Sequence, residues 1–140
     1  MLNFLSLDYG DVYIGLAISR RKTLALGFET WRNTRRLEKE KWWQEIISRL
    51  SAVIKTEKIN KLIIGLPKTL AGGSSPQTDL VLSFIKYVKI RLNIPIIAID
   101  ERLTTKEAEK KQAVNPHQEA ARMLLENYLN ILCQRQSSCQ

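Results

Sequence analysis

The chain opens on the stretch that decides its fold, Leu5-Ser6-Leu7-Asp8-Tyr9-Gly10, followed by Asp11-Val12-Tyr13-Ile14-Gly15-Leu16-Ala17-Ile18. Apolar residues alternate in its first half, which predicts a strand over residues 2–8 that ends in the carboxylate of Asp8. Residues 12–19 predict a second strand, and the short link carrying Gly10 favours an antiparallel hairpin. A carboxylate at a strand end suits metal binding, so Asp8 is a candidate ligand; the alternative is an aspartate that caps the turn.

Composition bounds the class of protein. The chain has 140 residues, 44% of them hydrophobic and 26% charged, which is typical of one globular domain. We assign residues 1–133 to that domain and 134–140 to a polar tail. The 22 Lys and Arg exceed the 14 Asp and Glu, giving a net charge of +8. Such an excess attracts polyanions, and nucleic acid is the commonest of these.

Targeting signals and cysteines point to the cytoplasm. No run of residues approaches the roughly 18 apolar positions of a membrane span. The first charge, Asp8, comes too early for a signal peptide, so we expect a cytoplasmic protein with no membrane partner. Cys133 and Cys139 lack a second pair with which to form a zinc site and are expected to be free thiols.

The remaining elements alternate between strands and helices. Apolar spacing predicts strands over 23–31, 61–66 and 94–99. Apolar spacing and capping residues predict a helix over 35–58, a helix from 76, a short helix over 104–112 and a last helix from 115. The paired Trp42 and Trp43 are expected in the core rather than on a platform for bases. The order βββ-α-β-α-β-α-α predicts an α/β, ribonuclease H-like fold. Its mixed five-stranded sheet has three antiparallel strands followed by parallel strands, with helices on both faces.

That plan brings acidic residues together. The first and fourth strands are neighbours in it, Asp8 ends the first, and Asp100-Glu101 end the last predicted strand. Carboxylates at neighbouring strand ends repel one another unless a hard cation such as Mg²⁺ neutralises them. Two such ions about 4 Å apart can activate water and stabilise the leaving oxygen of a phosphodiester.

Four motifs in order resemble the YqgF/RuvX family, relatives of the RuvC Holliday-junction resolvases: Asp8-Tyr9-Gly10 with Ile14-Gly15-Leu16-Ala17, Ile64-Gly65-Leu66-Pro67, Asp100-Glu101-Arg102-Leu103-Thr104-Thr105 with Ala108-Glu109, and His117-Gln118-Glu119-Ala120-Ala121. The third motif is highly specific. The resemblance implies a small cytoplasmic bacterial protein with the ribonuclease H fold. It also implies a nuclease dependent on Mg²⁺ or Mn²⁺ that matures the 5′ end of precursor 16S ribosomal RNA. Its catalytic and metal-binding residues would be Asp8, Asp100, Glu101 and His117.

The chain departs from the family pattern at two places. His117 stands where the family usually has Asp, which removes a negative charge; imidazole suits Mn²⁺ better than Mg²⁺. In the first turn of a helix the dipole favours neutral imidazole, a competent ligand. The alternatives are an ordinary surface histidine and Glu119 as the acid. In the loop after Pro67, Ala71 stands where the family tends to have an acid, and Lys68 could instead reach a phosphate.

Basic side chains are candidates for binding the substrate. We include Arg102, which could instead pair with Asp100 or Glu101. The other candidate contacts to nucleic acid are Lys68, Arg20, Arg21, Lys22 and Lys106.

The sequence therefore predicts a nuclease for structured nucleic acid, with precursor rRNA or branched DNA as substrate. Ribosomal precursor particles are a candidate partner, and the chain is expected to be a monomer or a weak homodimer. Three alternatives stay open. They are a resolvase-like DNA endonuclease, a nucleic-acid-binding module that does not cut, and an actin- or Hsp70-like ATPase. The ATPase fits less well, because those proteins use two such domains and 140 residues supply one.

Overall fold

The computed structural model describes residues 2–67, 75–100 and 115–138, with side chains as far as residue 135. The elements in these ranges are β1 (Phe4–Asp8), β2 (Tyr13–Ser19), β3 (Leu26–Arg32), α1 (Lys39–Thr56), β4 (Lys61–Leu66), α2 (Pro76–Arg91), β5 (Ile96–Asp100) and α3 (Pro116–Ser138). The short helix predicted over 104–112 lies outside the described residues. Within them, no helix has both the length and the hydropathy needed to cross a bilayer.

The five strands form one mixed sheet in the order β3-β2-β1-β4-β5. β1 pairs antiparallel with β2, and β2 with β3, so the hairpin predicted around Gly10 is confirmed. β4 runs parallel to both β1 and β5. The predicted fold class is thereby confirmed, including the neighbouring positions of the first and fourth strands.

Side-chain alternation along β1 supplies both faces of the sheet with a core. Leu5 and Leu7 belong to a cluster with residues of α1 and α2, among them Trp42, Trp43 and Phe84. Phe4, on the other face, packs with residues of β2, β4 and α3, namely Ala17, Ile63, Ala121, Leu124, Leu125 and Tyr128. Both tryptophans are buried, which confirms their assignment to the core.

Helix starts follow their capping residues. Ser75 caps α2 by accepting a 3.1 Å hydrogen bond from the Thr78 N–H, and Pro76 takes the first helical position, as predicted. At the start of α3, the Asn115 side chain accepts from the Gln118 N–H at 3.1 Å.

Two helix bounds differ from the sequence-based prediction. α1 begins at Lys39 rather than near residue 35, because the Asn33 side chain bonds both the N–H and the carbonyl of Leu37, at 2.8 and 3.0 Å. Those two bonds hold residues 33–37 in a turn, in which Arg36 has a φ of 49°. At the other end of the chain α3 continues to Ser138, into the predicted polar tail, because Gln134 and Arg135 favour helix.

Candidate active site

Asp8 is the half-buried last residue of β1 and pairs with Gly15 of β2. Its side chain lies on the same face of the sheet as that of Ser6, because side chains two residues apart in a strand share a face. The Ser6 hydroxyl donates a 2.6 Å hydrogen bond to the Ala121 carbonyl of α3. Asp8 is therefore directed to the face that α3 covers.

The turn that follows Asp8 is held by the two tryptophans of α1. The Trp43 indole N–H donates to the Tyr9 hydroxyl at 2.9 Å, and this hydroxyl donates to an Asp11 carboxylate oxygen at 3.1 Å. The Trp42 indole N–H donates to the Gly10 carbonyl at 3.3 Å. Burial raises the pKa of Tyr9 to about 12, so its phenol stays protonated and remains a donor well above neutral pH. Contacts from the opposite face thus fix the backbone that carries Asp8.

The first turn of α3 rests directly on β2. A Cβ atom added at Gly15 would lie 1.9 Å from the His117 carbonyl oxygen, so the helix backbone occupies the space that any side chain would need. Since Asp8 is the cross-strand partner of Gly15, its Cβ lies within about 5.5 Å of that position. The structure therefore brings Asp8 and His117 to one place, although about 110 residues separate them in sequence.

The His117 ring has a defined orientation. It stacks on the ring of Tyr13, with 4.4 Å between centroids and 19° between planes, and the Arg32 guanidinium carbon lies 5.7 Å from the same Tyr13 centroid. Stacking covers a face of the imidazole, whereas its nitrogen lone pair and N–H lie in the ring plane. The stacked ring can therefore still offer a nitrogen to a ligand.

Asp100 occupies a different position. β4 lies between β5 and β1, so the ends of β5 and β1 are about 10 Å apart. The row of residues level with Asp8 continues through Gly65 to Ile99. Asp100 pairs with Leu66, so it lies one residue beyond that row. It borders a cleft of about 530 Å³ between β5 and α3, whose lining includes Arg135 but not Asp8.

The other predicted ligands and contacts are only partly described. Glu101, Lys68, Arg102 and Lys106 lie outside the described residues. Glu119, the alternative acid, is bound by the Arg122 guanidinium at 2.9–3.0 Å. Within residues 2–67, 75–100 and 115–135, no three His, Cys, Asp or Glu side chains are close enough to share a metal ion.

The basic turn Arg20-Arg21-Lys22 lies at the opposite end of the sheet from Asp8. Ser19 pairs with Phe4, at the amino end of β1, and the Lys22 N–H donates to the Leu2 carbonyl at 2.9 Å. About 20 Å of extended chain separates Leu2 from Asp8. The structure therefore does not bring these three cations to the candidate site.

Sequence reasoning did not anticipate the positions of Tyr13 and Gly15 in the site. A glycine inside an apolar strand is a signal for close backbone approach, and Gly15 has that role here. Nothing local in the sequence indicates the stacking of Tyr13 on His117.

Comparison with known proteins identifies the family of the chain and supports its fold. The family model described as "RuvX: Holliday junction resolvase" matches residues 2–131. The chain belongs to the RuvX family.

Two RuvX-family relatives illustrate the similarity, and both carry the name "Putative pre-16S rRNA nuclease". One, from Thermoanaerobacter pseudethanolicus, is 33% identical, with 92% of this chain and 96% of the relative covered. The other, from Caldanaerobacter subterraneus subsp. tengcongensis, is 37% identical, with 78% and 74% covered.

Solved structures show the same fold at lower identity. The RuvC protein of Thermus thermophilus in complex with a Holliday junction has a TM-score of 0.64 and 11% identity, with 95% of this chain and 96% of that chain covered. Thermus thermophilus RuvC in a second structure gives the same TM-score, with 97% of that chain covered. This RuvX-family chain therefore has a RuvC-like, ribonuclease H-like fold.

Proposed function

We propose that this RuvX-family chain is a divalent-metal-dependent nuclease that processes the 5′ end of precursor 16S rRNA. The observation that carries the proposal is the packing of the first turn of α3 on Gly15, which sets the backbone of His117 against the cross-strand partner of Asp8. The names of the relatives and the net charge of +8 support a nucleic-acid substrate.

The donor types suit a divalent ion of this class. Asp8 offers carboxylate oxygens, which Mg²⁺ and Mn²⁺ both accept, and His117 offers an imidazole nitrogen, which favours Mn²⁺. Asp100 and Glu101 are the further ligands expected from the sequence, although Asp100 ends a strand about 10 Å from the end of β1. Asp100→Asn and Glu101→Gln, assayed separately, show which of the two carboxylates cleavage requires. When bound, the ion supplies Lewis-acid chemistry at the phosphate and acidifies water.

The surrounding side chains hold the donors in place. Trp43 and Tyr9 fix the turn after Asp8, and Tyr13 orients the imidazole of His117 by stacking. Fixed donors matter because a displacement of about 1 Å in a catalytic site can cost roughly 100-fold in rate.

Substitution of Asp8 by Asn tests the proposal. We expect cleavage of a precursor 16S leader RNA in Mn²⁺ or Mg²⁺ to fall by about 100-fold or more, because the change removes the charge that holds the cation. Asp11→Asn is the matched control. It makes the same change three residues along the turn and keeps an acceptor for Tyr9, so cleavage should stay within about twofold. Full cleavage by Asp8→Asn would refute the assignment, provided that both variants melt like the wild type.

A DNA junction is the second candidate substrate, favoured by the description of the family model as a Holliday junction resolvase. Parallel assays on the precursor RNA, a four-way DNA junction and a linear DNA duplex distinguish the two. Selective cutting of the junction would replace the RNA assignment. Binding of RNA that survives a chelator, without cleavage in any divalent ion, would instead identify a binding module.

A further inference from the structure

We propose that the end of the sheet remote from Asp8 carries a second contact for the phosphate backbone of the same nucleic acid. This contact, the remote basic site, consists of Arg21, Lys22 and Lys58. The inference rests on the proposed function, since it names a second point at which that substrate is held.

The backbone of the turn between β2 and β3 is the first observation. Arg21 and Lys22 have φ values of 58° and 57°, and the Thr23 N–H donates to the Arg20 carbonyl at 3.1 Å to close the turn. Tight turns with two positive φ values favour Asn-Gly, because a Cβ atom is strained in the left-handed region. Two long cationic side chains stand here instead.

The residue after α1 repeats the pattern. Lys58 has a φ of 54°, and the Ile59 N–H donates to the Ile54 carbonyl at 3.0 Å, which is the helix ending that normally selects glycine. In the described part of the chain, the non-glycine residues with positive φ are Arg21, Lys22, Arg36 and Lys58, all basic. Basic residues thus occupy strained positions where glycine would fit better, and backbone strain of this kind points to function.

Asn3 joins the two loops into one surface. Its side-chain oxygen accepts from the Arg21 N–H at 2.9 Å, and its amide nitrogen donates to the carbonyls of Glu57 and Lys58 at 3.1 and 3.2 Å. Both loops are therefore fixed relative to each other before any ligand arrives. Binding by such a preorganised surface loses less conformational entropy.

The charge of this surface is unbalanced. Arg20 pairs with Glu57 at 2.9 Å, which neutralises both. Arg21, Lys22 and Lys58 are exposed, and no carboxylate of the described residues forms an ion pair with them. These three residues are cationic and include no aromatic ring. They therefore suit contacts with phosphate oxygens rather than stacking with bases.

The distance to Asp8 sets the length of substrate that can use both sites. About 20 Å separates the remote basic site from the end of β1. At about 3.4 Å per nucleotide, a strand stacked in a helix needs roughly six nucleotides to span that distance. Shorter substrates can occupy the candidate active site alone.

The salt dependence of binding tests the proposal directly. Binding of the precursor RNA is measured in excess chelator, so the test does not depend on cleavage or on any metal. Lys22→Gln with Lys58→Gln should reduce the slope of log affinity against log salt by about 1.5, and affinity at 0.1 M salt by roughly 10-fold or more.

The matched control is Lys41→Gln with Lys86→Gln, two exposed lysines on the helices that cover the opposite face of the sheet from His117. It removes the same charge and should leave the slope near the wild-type value. Equal slopes for the two double variants would overturn the remote basic site, whether or not the protein proves to be a nuclease.

Glycine variants separate binding from folding. Lys22→Gly with Lys58→Gly relieves both strained residues, so the melting temperature should stay the same or rise while affinity falls as in the Gln variant.

In cleavage assays the Gln variant should raise the KM for a substrate of about 12 nucleotides. For one of about four nucleotides, kcat and KM should be unchanged. A lower melting temperature in the glycine variant, or a KM increase independent of length, would contradict the proposal.

Discussion

Substitution of Gly15 by Ala is the sharpest test of the candidate site, because the first turn of α3 packs directly on the backbone of Gly15, the cross-strand partner of Asp8. The added Cβ would lie 1.9 Å from the His117 carbonyl oxygen and 2.3 Å from its carbonyl carbon. Ordinary contacts begin near 3.4 Å, so the helix start must move away by about 1.5 Å. A backbone carbonyl cannot avoid the clash by rotating, as a side chain can.

Two consequences follow from that displacement. Overpacking of a tight contact costs about 1–3 kcal/mol, which for a chain of this size lowers the melting temperature by roughly 3–10 °C. Movement of His117 by more than 1 Å should lower kcat by about 100-fold. Binding of RNA in chelator should change little, because the remote basic site is at the other end of the sheet.

Gly27→Ala provides the matched control. Its Cβ would lie 2.9 Å from the Gln118 side-chain oxygen, which can rotate away, so stability should stay within about 0.5 kcal/mol and kcat near wild type. The assays are a thermal melt and single-turnover cleavage in Mn²⁺. If Gly15→Ala cleaves at the wild-type rate while its melting temperature falls, the start of α3 has no part in the chemistry.

Two further predictions concern the donors and their support. His117→Asp restores a carboxylate and should shift the metal preference towards Mg²⁺; the ratio of kcat in Mg²⁺ to kcat in Mn²⁺ measures this, and an unchanged ratio would show that residue 117 holds no metal. Tyr9 has a folded pKa of about 12 against 10.0 for its ordinary value. The stability it contributes is therefore complete below pH 10 and lost between about pH 10 and 12. A difference absorbance titration of wild type against Tyr9→Phe measures the pKa, and a midpoint near 10 would contradict the burial of its phenol.

Local pattern was enough to predict most of the fold. Alternation of apolar residues defined the hairpin around Gly10, and helical spacing placed Trp42 and Trp43 in the core. The order of elements then determined which strands are neighbours. These features depend on residues close together in sequence, where propensity and periodicity act.

The arrangement of the site could be predicted only in part. The order of elements implied that Asp8 and Asp100 end strands of one sheet, but the register places Asp100 one residue past the row of Asp8, beside a separate cleft. The stacking of His117 on Tyr13 joins residues about 100 positions apart and depends on how α3 crosses the sheet. Helix-on-sheet packing of this kind is decided by side-chain shape, which a single sequence does not display.

The docking of α3 also determines when the site comes into existence. Asp8 belongs to β1, the first strand of the described chain, and His117 belongs to its last helix. Contacts between residues so far apart in sequence form late, because a long loop must close first. A nascent chain that ends before α3 has the strand that carries Asp8 but lacks His117. The candidate site is therefore absent until α3 has been synthesised and has packed on the sheet.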